Sequence, residues 1–184
     1  MARPDSNPNA QIAPSAVVVS RYNETVTSVM LGGAIGAYLA RGGAESDLAV
    51  LEAPGAYELI SIANAAAISG LYGTIVCLGC VIKGETSHDQ HIGNAVANGL
   101  ANISIKTGLP VAFGLLTTNT NEQAIARAGG DKGNKGAEAM NAALDAVDAI
   151  AMIAKAQSNN TPGVRFTPGL SPNDKLSSHA QETH

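Results

Sequence analysis

Aromatic side chains are scarce in this sequence of 184 residues: four Tyr, two Phe and no Trp. Charge is sparse as well, with 14% Asp, Glu, Lys and Arg and a formal net charge of -4. A nucleic-acid groove draws on a concentrated positive field and on rings that stack with bases, so this composition argues against nucleic acid as a partner. No apolar run approaches the roughly 18–20 residues that cross a bilayer, and the opening MARPDSNPNA has no apolar signal core. A cytoplasmic chain that does not enter membranes is therefore expected. Cysteine is limited to Cys77 and Cys80. The CLGC spacing admits a redox dithiol or half of a zinc site. Within GTIVCLGCVI it reads instead as part of a buried strand, where residues three apart point to opposite faces and each thiol packs as a small hydrophobe.

Small residues are abundant, with 32 Ala and 20 Gly. At 45% hydrophobic the chain is too apolar for general disorder, and its length favours one domain. Six of the eight prolines lie near the ends, three within residues 1–14 and three within 157–184. Residues 1–14 read as an N-terminal tail, 15–156 as the folded domain and 157–184 as a flexible C-terminal tail. The last segment is rich in Ser, Thr, Asn, Pro and Gly and buries too little apolar area to offset its ordering. Within it, Phe166 and Leu170 are the side chains able to dock on a neighbouring surface.

Between the tails, short apolar runs alternate with amphipathic segments. The runs 16–19, 48–51, 74–82 and 111–116 are β-rich and near-continuous, as expected for strands covered on both faces. Helical stripes follow: Val26, Val29, Met30, Gly33 and Ala37; then Ile92, Ala95, Val96, Gly99, Leu100 and Ile103; then Ala143, Val147, Ile150, Ala151 and Ala154. A further helix starts near Tyr57 and ends at Gly70, while Gly108 and Pro110 close the helix before the fourth strand. The β-α-β-α-β-α-β-α order implies an α/β fold, a parallel sheet with helices on both faces and function beyond the carboxyl ends of its strands.

The unusual side chains fall at those ends. Ser20–Glu24 follows the first strand, Ala53–Glu58 the second, Lys83–Asp89 the third and Thr117–Thr120 the fourth. A small polar ligand with a flat ring suits this collection. In KGETSHDQHI, Gly84 permits close backbone approach, Thr86 or Ser87 can cap the next helix, and the free amides there attract an anion such as phosphate. His88 falls in the first turn of that helix, whose dipole disfavours an imidazolium. A plain helix cap with a surface histidine reads equally well from these letters alone. His88 and His91 share a helix face, but no third ligand is evident for a metal. AGGDKGNKG (128–136) looks like a Walker loop but has Asn134 where the second Gly belongs and Gly136 after Lys135, and it follows a helix. Gly32, Gly33 and Gly36 are misspaced for a dinucleotide fingerprint, and close helix packing explains them better. Arg127, at a helix C-terminus, either complements the dipole in solvent or forks a phosphate.

Taken in order, SRYNE (20–24), APGAYEL (53–59), LGCVIKGETSHDQHI (78–92), FGLLTTNTNEQAIARAG (113–129) and GNKGAEA (133–139) resemble lumazine synthase over about residues 15 to 155. The resemblance implies a flavodoxin-like three-layer α/β/α sandwich with a four-stranded parallel sheet. It implies a transferase of riboflavin biosynthesis, without metal or organic cofactor, that condenses 5-amino-6-(D-ribitylamino)uracil with 3,4-dihydroxy-2-butanone 4-phosphate. The products are 6,7-dimethyl-8-ribityllumazine, phosphate and water. In family terms Tyr22 stacks on the pyrimidine beside Asn23; Ala56, Tyr57 and Glu58 bind the ribityl chain; and Cys80, Val81 and Ile82 run along the ring. Glu85 and Thr86 supply amides to the phosphate, helped by Arg127, and His88 transfers protons. Phe113, Arg127 and Lys135 match groups that the neighbouring subunit contributes.

This sequence departs from the family at Ile60, where Pro is frequent, at Tyr22, where Phe or Trp is commoner, and at Asp131, where Lys is frequent. The resemblance also implies a homopentamer. The short GGDKGNKG connection matches members whose pentamers build an icosahedral shell, and riboflavin synthase is the implied partner. Two other classes remain open on the sequence: a flavin- or lumazine-binding storage protein and a shell-forming scaffold. Retention of His88, Arg127 and Glu58 favours the enzyme over both.

Overall fold

The computed structural model describes residues 12–160. The tail readings, Phe166 and Leu170 included, lie outside that range except at residues 12–14 and 157–160. Four strands, β1 (Ser15–Ser20), β2 (Leu48–Ala53), β3 (Thr74–Ile82) and β4 (Val111–Thr118), pair in parallel in the order β2-β1-β3-β4. Five α-helices intervene or follow: α1 (Glu24–Ala40), α2 (Leu59–Ile68), α3 (His88–Thr107), α4 (Asn121–Arg127) and α5 (Lys135–Ser158). A 3-10 turn, Glu45–Asp47, leads into β2. Residues 12–148 form one compact unit.

Side-chain alternation along the strands divides the core into two layers. Val17 and Val19 of β1, with Val76, Leu78 and Cys80 of β3, cluster with Met30 of α1, Ala124 of α4 and Met140 of α5. Ala16 and Val18, with Ile75 and Cys77, cluster instead with Leu59 and Ala63 of α2 and with Val96, Leu100 and Ile103 of α3. The three-layer α/β/α sandwich with a four-stranded parallel sheet is thus observed. Both thiols are free and buried, one in each layer.

Three expectations about strand and helix burial need correction. First, the outer strands are not covered on both faces, since Val50 of β2 is 43% and Phe113 of β4 is 41% exposed. Second, α1 buries Val26, Thr27, Met30, Ala34 and Tyr38, a face rotated from the one its apolar letters suggest, and Val29 stands half out. Hydrogen bonding is the reason. Thr27 Oγ1 donates to Ser20 O at 2.8 Å and the Tyr38 hydroxyl donates to Ala13 O at 3.2 Å, so both polar groups are satisfied inside the core. Third, the buried face of α5 ends early: Gly136, Ala139, Met140, Ala143 and Leu144 are buried, but Ile150, Ala151 and Ala154 are exposed. The last turns, from Ala149, belong to a second unit, whose described residues are 149–160.

Glycine explains one helix crossing. A Cβ at Gly136 would fall on the backbone carbonyl of Met30, and one at Gly33 on the Asn134 amide, so α1 and the start of α5 approach more closely than alanine permits. Gly32 and Gly36 have open space beside them, so close packing does not account for those two. The GGDKGNKG connection has structure of its own. It forms a small antiparallel ribbon, β5 (Ala128–Gly130) with β6 (Gly133–Asn134).

Candidate active site

The chain path makes the sheet's switch point fall between β1 and β3, because β1 leads outward to β2 and the next crossover returns past it to β3. Ligands of open α/β sheets lie at that point, beyond the carboxyl ends of the strands. The register there leaves a step. The last β1–β3 pair is Val19 with Leu78, whereas β3 continues beside β4 as far as Ile82 with Thr118. Residues 80–82 therefore have a neighbouring strand on one side only.

Asn23 occupies the first position of the step. Its backbone is left-handed, at φ 60° and ψ 46°, a conformation Asn tolerates better than most residues. Its side-chain Nδ2 donates to Cys80 O at 2.9 Å. Since strand backbone groups alternate sides, Ile82 points its N–H and C=O the same way as the Cys80 carbonyl, past the end of β1. The opposite alternation is visible at Lys83, whose N–H donates to Thr118 O of β4 at 2.8 Å. An open donor and acceptor thus lie side by side at the switch point. The Cys80 and Val81 side chains are buried, so Cys80 meets this edge through its main chain.

Around the step, the β1–α1 turn carries Tyr22, 70% exposed, and the β2–α2 turn carries Tyr57, 59% exposed. Ala56 is buried and Glu58 immediately precedes α2. The Glu58 carboxylate lies over Gly55, where an added Cβ would come within 2.9 Å of Oε2. Beyond β3, Lys83, Gly84, Glu85, Thr86 and Ser87 form an exposed connection to His88, the first residue of α3. No side chain caps that helix from Ser87, whose Oγ lies 3.4 Å from His91 Nε2. Among the described residues no three of His, Cys, Asp and Glu come together so as to hold a metal ion. No helix of the described residues is long and apolar enough to cross a membrane.

Phe113 and Lys135 lie elsewhere. Phe113 pairs with Cys77, five residues before the Ile82–Thr118 pair, which is about 16 Å along the sheet. Both residues line an open groove of about 440 Å³ with Val111, Glu138, Ala142 and Ala143. Lys135 Nζ is 3.2 Å from Glu138 Oε2. Arg127 is exposed at the C-terminal end of α4. The candidate residues therefore divide into a carboxyl-edge set and a groove set, with Arg127 on a helix of its own. At two of the positions where the sequence departs from the pattern it resembles, Ile60 packs toward Gly99 of α3, and Asp131 pairs with Lys132 at 3.6 Å.

Asn134 has a structural role that likeness to a Walker loop does not suggest. Asn134 stands immediately before α5, and Asn is among the preferred helix caps. Its Oδ1 accepts from Gly136 N at 2.9 Å and Ala137 N at 3.1 Å. A sequence profile for the family described as 6,7-dimethyl-8-ribityllumazine synthase matches residues 13–151.

Proposed function

Since the chain belongs to the 6,7-dimethyl-8-ribityllumazine synthase family, and so to riboflavin biosynthesis, we propose that it condenses 5-amino-6-(D-ribitylamino)uracil with 3,4-dihydroxy-2-butanone 4-phosphate in the cytoplasm. The observation that carries this reading is the stepped edge of β3. A uracil-type ring presents donors and acceptors along its own edge, which is what the open N–H and C=O of Ile82 complement. Tyr22 is the stacking ring, Asn23 sets the turn beside it, and Ala56, Tyr57 and Glu58 take the ribityl hydroxyls.

The chemistry requires repeated proton transfer. The amine adds to the ketone, water leaves to give the imine, phosphate is eliminated, and the second amine closes the ring on the remaining carbonyl with loss of another water. His88 serves as base and then acid at the start of α3, while the amides of Glu85 and Thr86 and the guanidinium of Arg127 stabilise the departing phosphate. Holding two reactants together supplies much of the rate, because the attacking amine is already nucleophilic.

Separation of the two residue sets within one chain supports a site completed by a second copy, with Phe113, Arg127 and Lys135 entering from the neighbour. The proposed assembly is a homopentamer, further built into an icosahedral shell, with riboflavin synthase as the consumer of its product. The test is to mix both substrates with purified protein and follow lumazine absorbance and phosphate release. His88→Ala is expected to lower kcat by about tenfold to a hundredfold, at or below the lower end of general acid–base effects. Arg127→Ala is expected to raise the KM for the butanone phosphate about tenfold or more, the scale of a lost charge-assisted hydrogen bond. No product above the spontaneous rate would favour the storage or scaffold reading, and an unchanged KM in Arg127→Ala would remove Arg127 from the phosphate site.

A further inference from the structure

We propose that Asn134 is the positioning residue for the two cations of the site, Arg127 and Lys135, an inference that rests on the reading of those cations given above. Its single amide uses all four of its hydrogen-bonding positions. Nδ2 donates to Ala128 O at 2.8 Å and to Val29 O at 2.9 Å, while Oδ1 accepts from Gly136 N at 2.9 Å and Ala137 N at 3.1 Å. Ala128 directly follows Arg127, and Lys135 directly follows Asn134. One side chain thus ties the end of α4 to the start of α5 and both to α1. The ribbon pair Ala128 with Asn134 adds a backbone tie at the same place. Gly33 of α1 provides the room, since a Cβ there would overlap the Asn134 amide. Arg127 is exposed and Lys135 half-buried, so each is located chiefly by the backbone from which it extends. Asn134 sets those two backbone origins relative to each other.

An ordinary helix cap would do only half of this. Asn134→Asp keeps the acceptor for the α5 amides but turns a carboxylate oxygen toward two carbonyls, and Asn134→Ser keeps a cap while losing the amide's paired donors. The experiment is a double-mutant cycle of either variant with Arg127→Ala, read as the KM for butanone phosphate and, without need of turnover, as the Kd for inorganic phosphate by calorimetry. Asn134→Asp and Asn134→Ser are expected to raise both constants about tenfold, to leave the KM for ribitylaminouracil within twofold, and to add clearly less than tenfold in the Arg127→Ala background, where only Lys135 is left to displace. Ile103→Val, a core truncation in α3, serves as the control for lost stability and leaves both constants unchanged. Should Asn134→Asp not fold, Asn134→Ser and Gly33→Ala carry the same cycle. Additive losses on Arg127→Ala, or equal losses for both substrates, would overturn the proposal. Wild-type turnover in the same assay decides the activity itself, separately from the cycle.

Discussion

Cys77 and Cys80 show how far a three-residue spacing can mislead when read as chemistry. Alternation sends one thiol into each layer of the core, and burial pushes Cys77 up to about 12 and Cys80 up to about 11 from the ordinary value of 9.0. Neither is a thiolate at neutral pH. A disulfide-exchange reagent at pH 8 is expected to label no cysteine in the native protein and two in denaturant, and rapid native labelling would contradict the burial. Because the unfolded thiols ionise first, their contribution to stability is full below pH 9 and is lost as pH rises through about 11 and then about 12. Asn23 gives the opposite lesson. Its place in SRYNE marked it as a site residue, but its left-handed backbone and its bond to the Cys80 carbonyl belong to long-range geometry that no local pattern announces.

Between elements, the contact most sensitive to a single atom is the crossing of α1 and α5. At Gly136 an added methyl meets the Met30 carbonyl, which is backbone and has no rotamer to yield. Gly136→Ala is therefore expected to destabilise the protein by about 3 kcal/mol, the upper part of the usual overpacking range, as read by denaturant unfolding. A change below roughly 0.5 kcal/mol, the level of ordinary surface substitutions, would show that the crossing relaxes freely. Strands were the most legible elements: 74–82 emerges with its bounds unchanged, and the other three runs extend by a residue or two. Periodicity also found the buried stripe of α3 at Val96, Leu100 and Ile103. It misread α1 because Thr27 and Tyr38 hide satisfied hydroxyls, a pairing that depends on distant Ser20 and Ala13. The β5–β6 ribbon is not legible in the sequence because Ala, Gly and Asn have low strand propensity, and its pairing is held by an asparagine rather than by a hydrophobic face.

For the whole molecule, the consequential fact is that Phe113, in the groove it shares with Lys135, lies about 10–16 Å along the sheet from the stepped edge of β3. The carboxyl-edge half could be anticipated from the strand order alone. The proposed other half rests on family resemblance, because nothing local in the sequence sets Phe113 apart from a ring left in solvent. Light scattering across a dilution series, run beside the lumazine assay, is expected to show activity falling together with oligomer mass. Full activity in a monodisperse monomer would contradict a shared site. Oligomer geometry also governs how damage is distributed. In the proposed ring, a chain altered at His88 would spoil its own site, and one altered at Lys135 would spoil its neighbour's. Two kinds of inactive chain, each with a different half intact, then restore working sites when mixed, wherever the sound halves happen to meet.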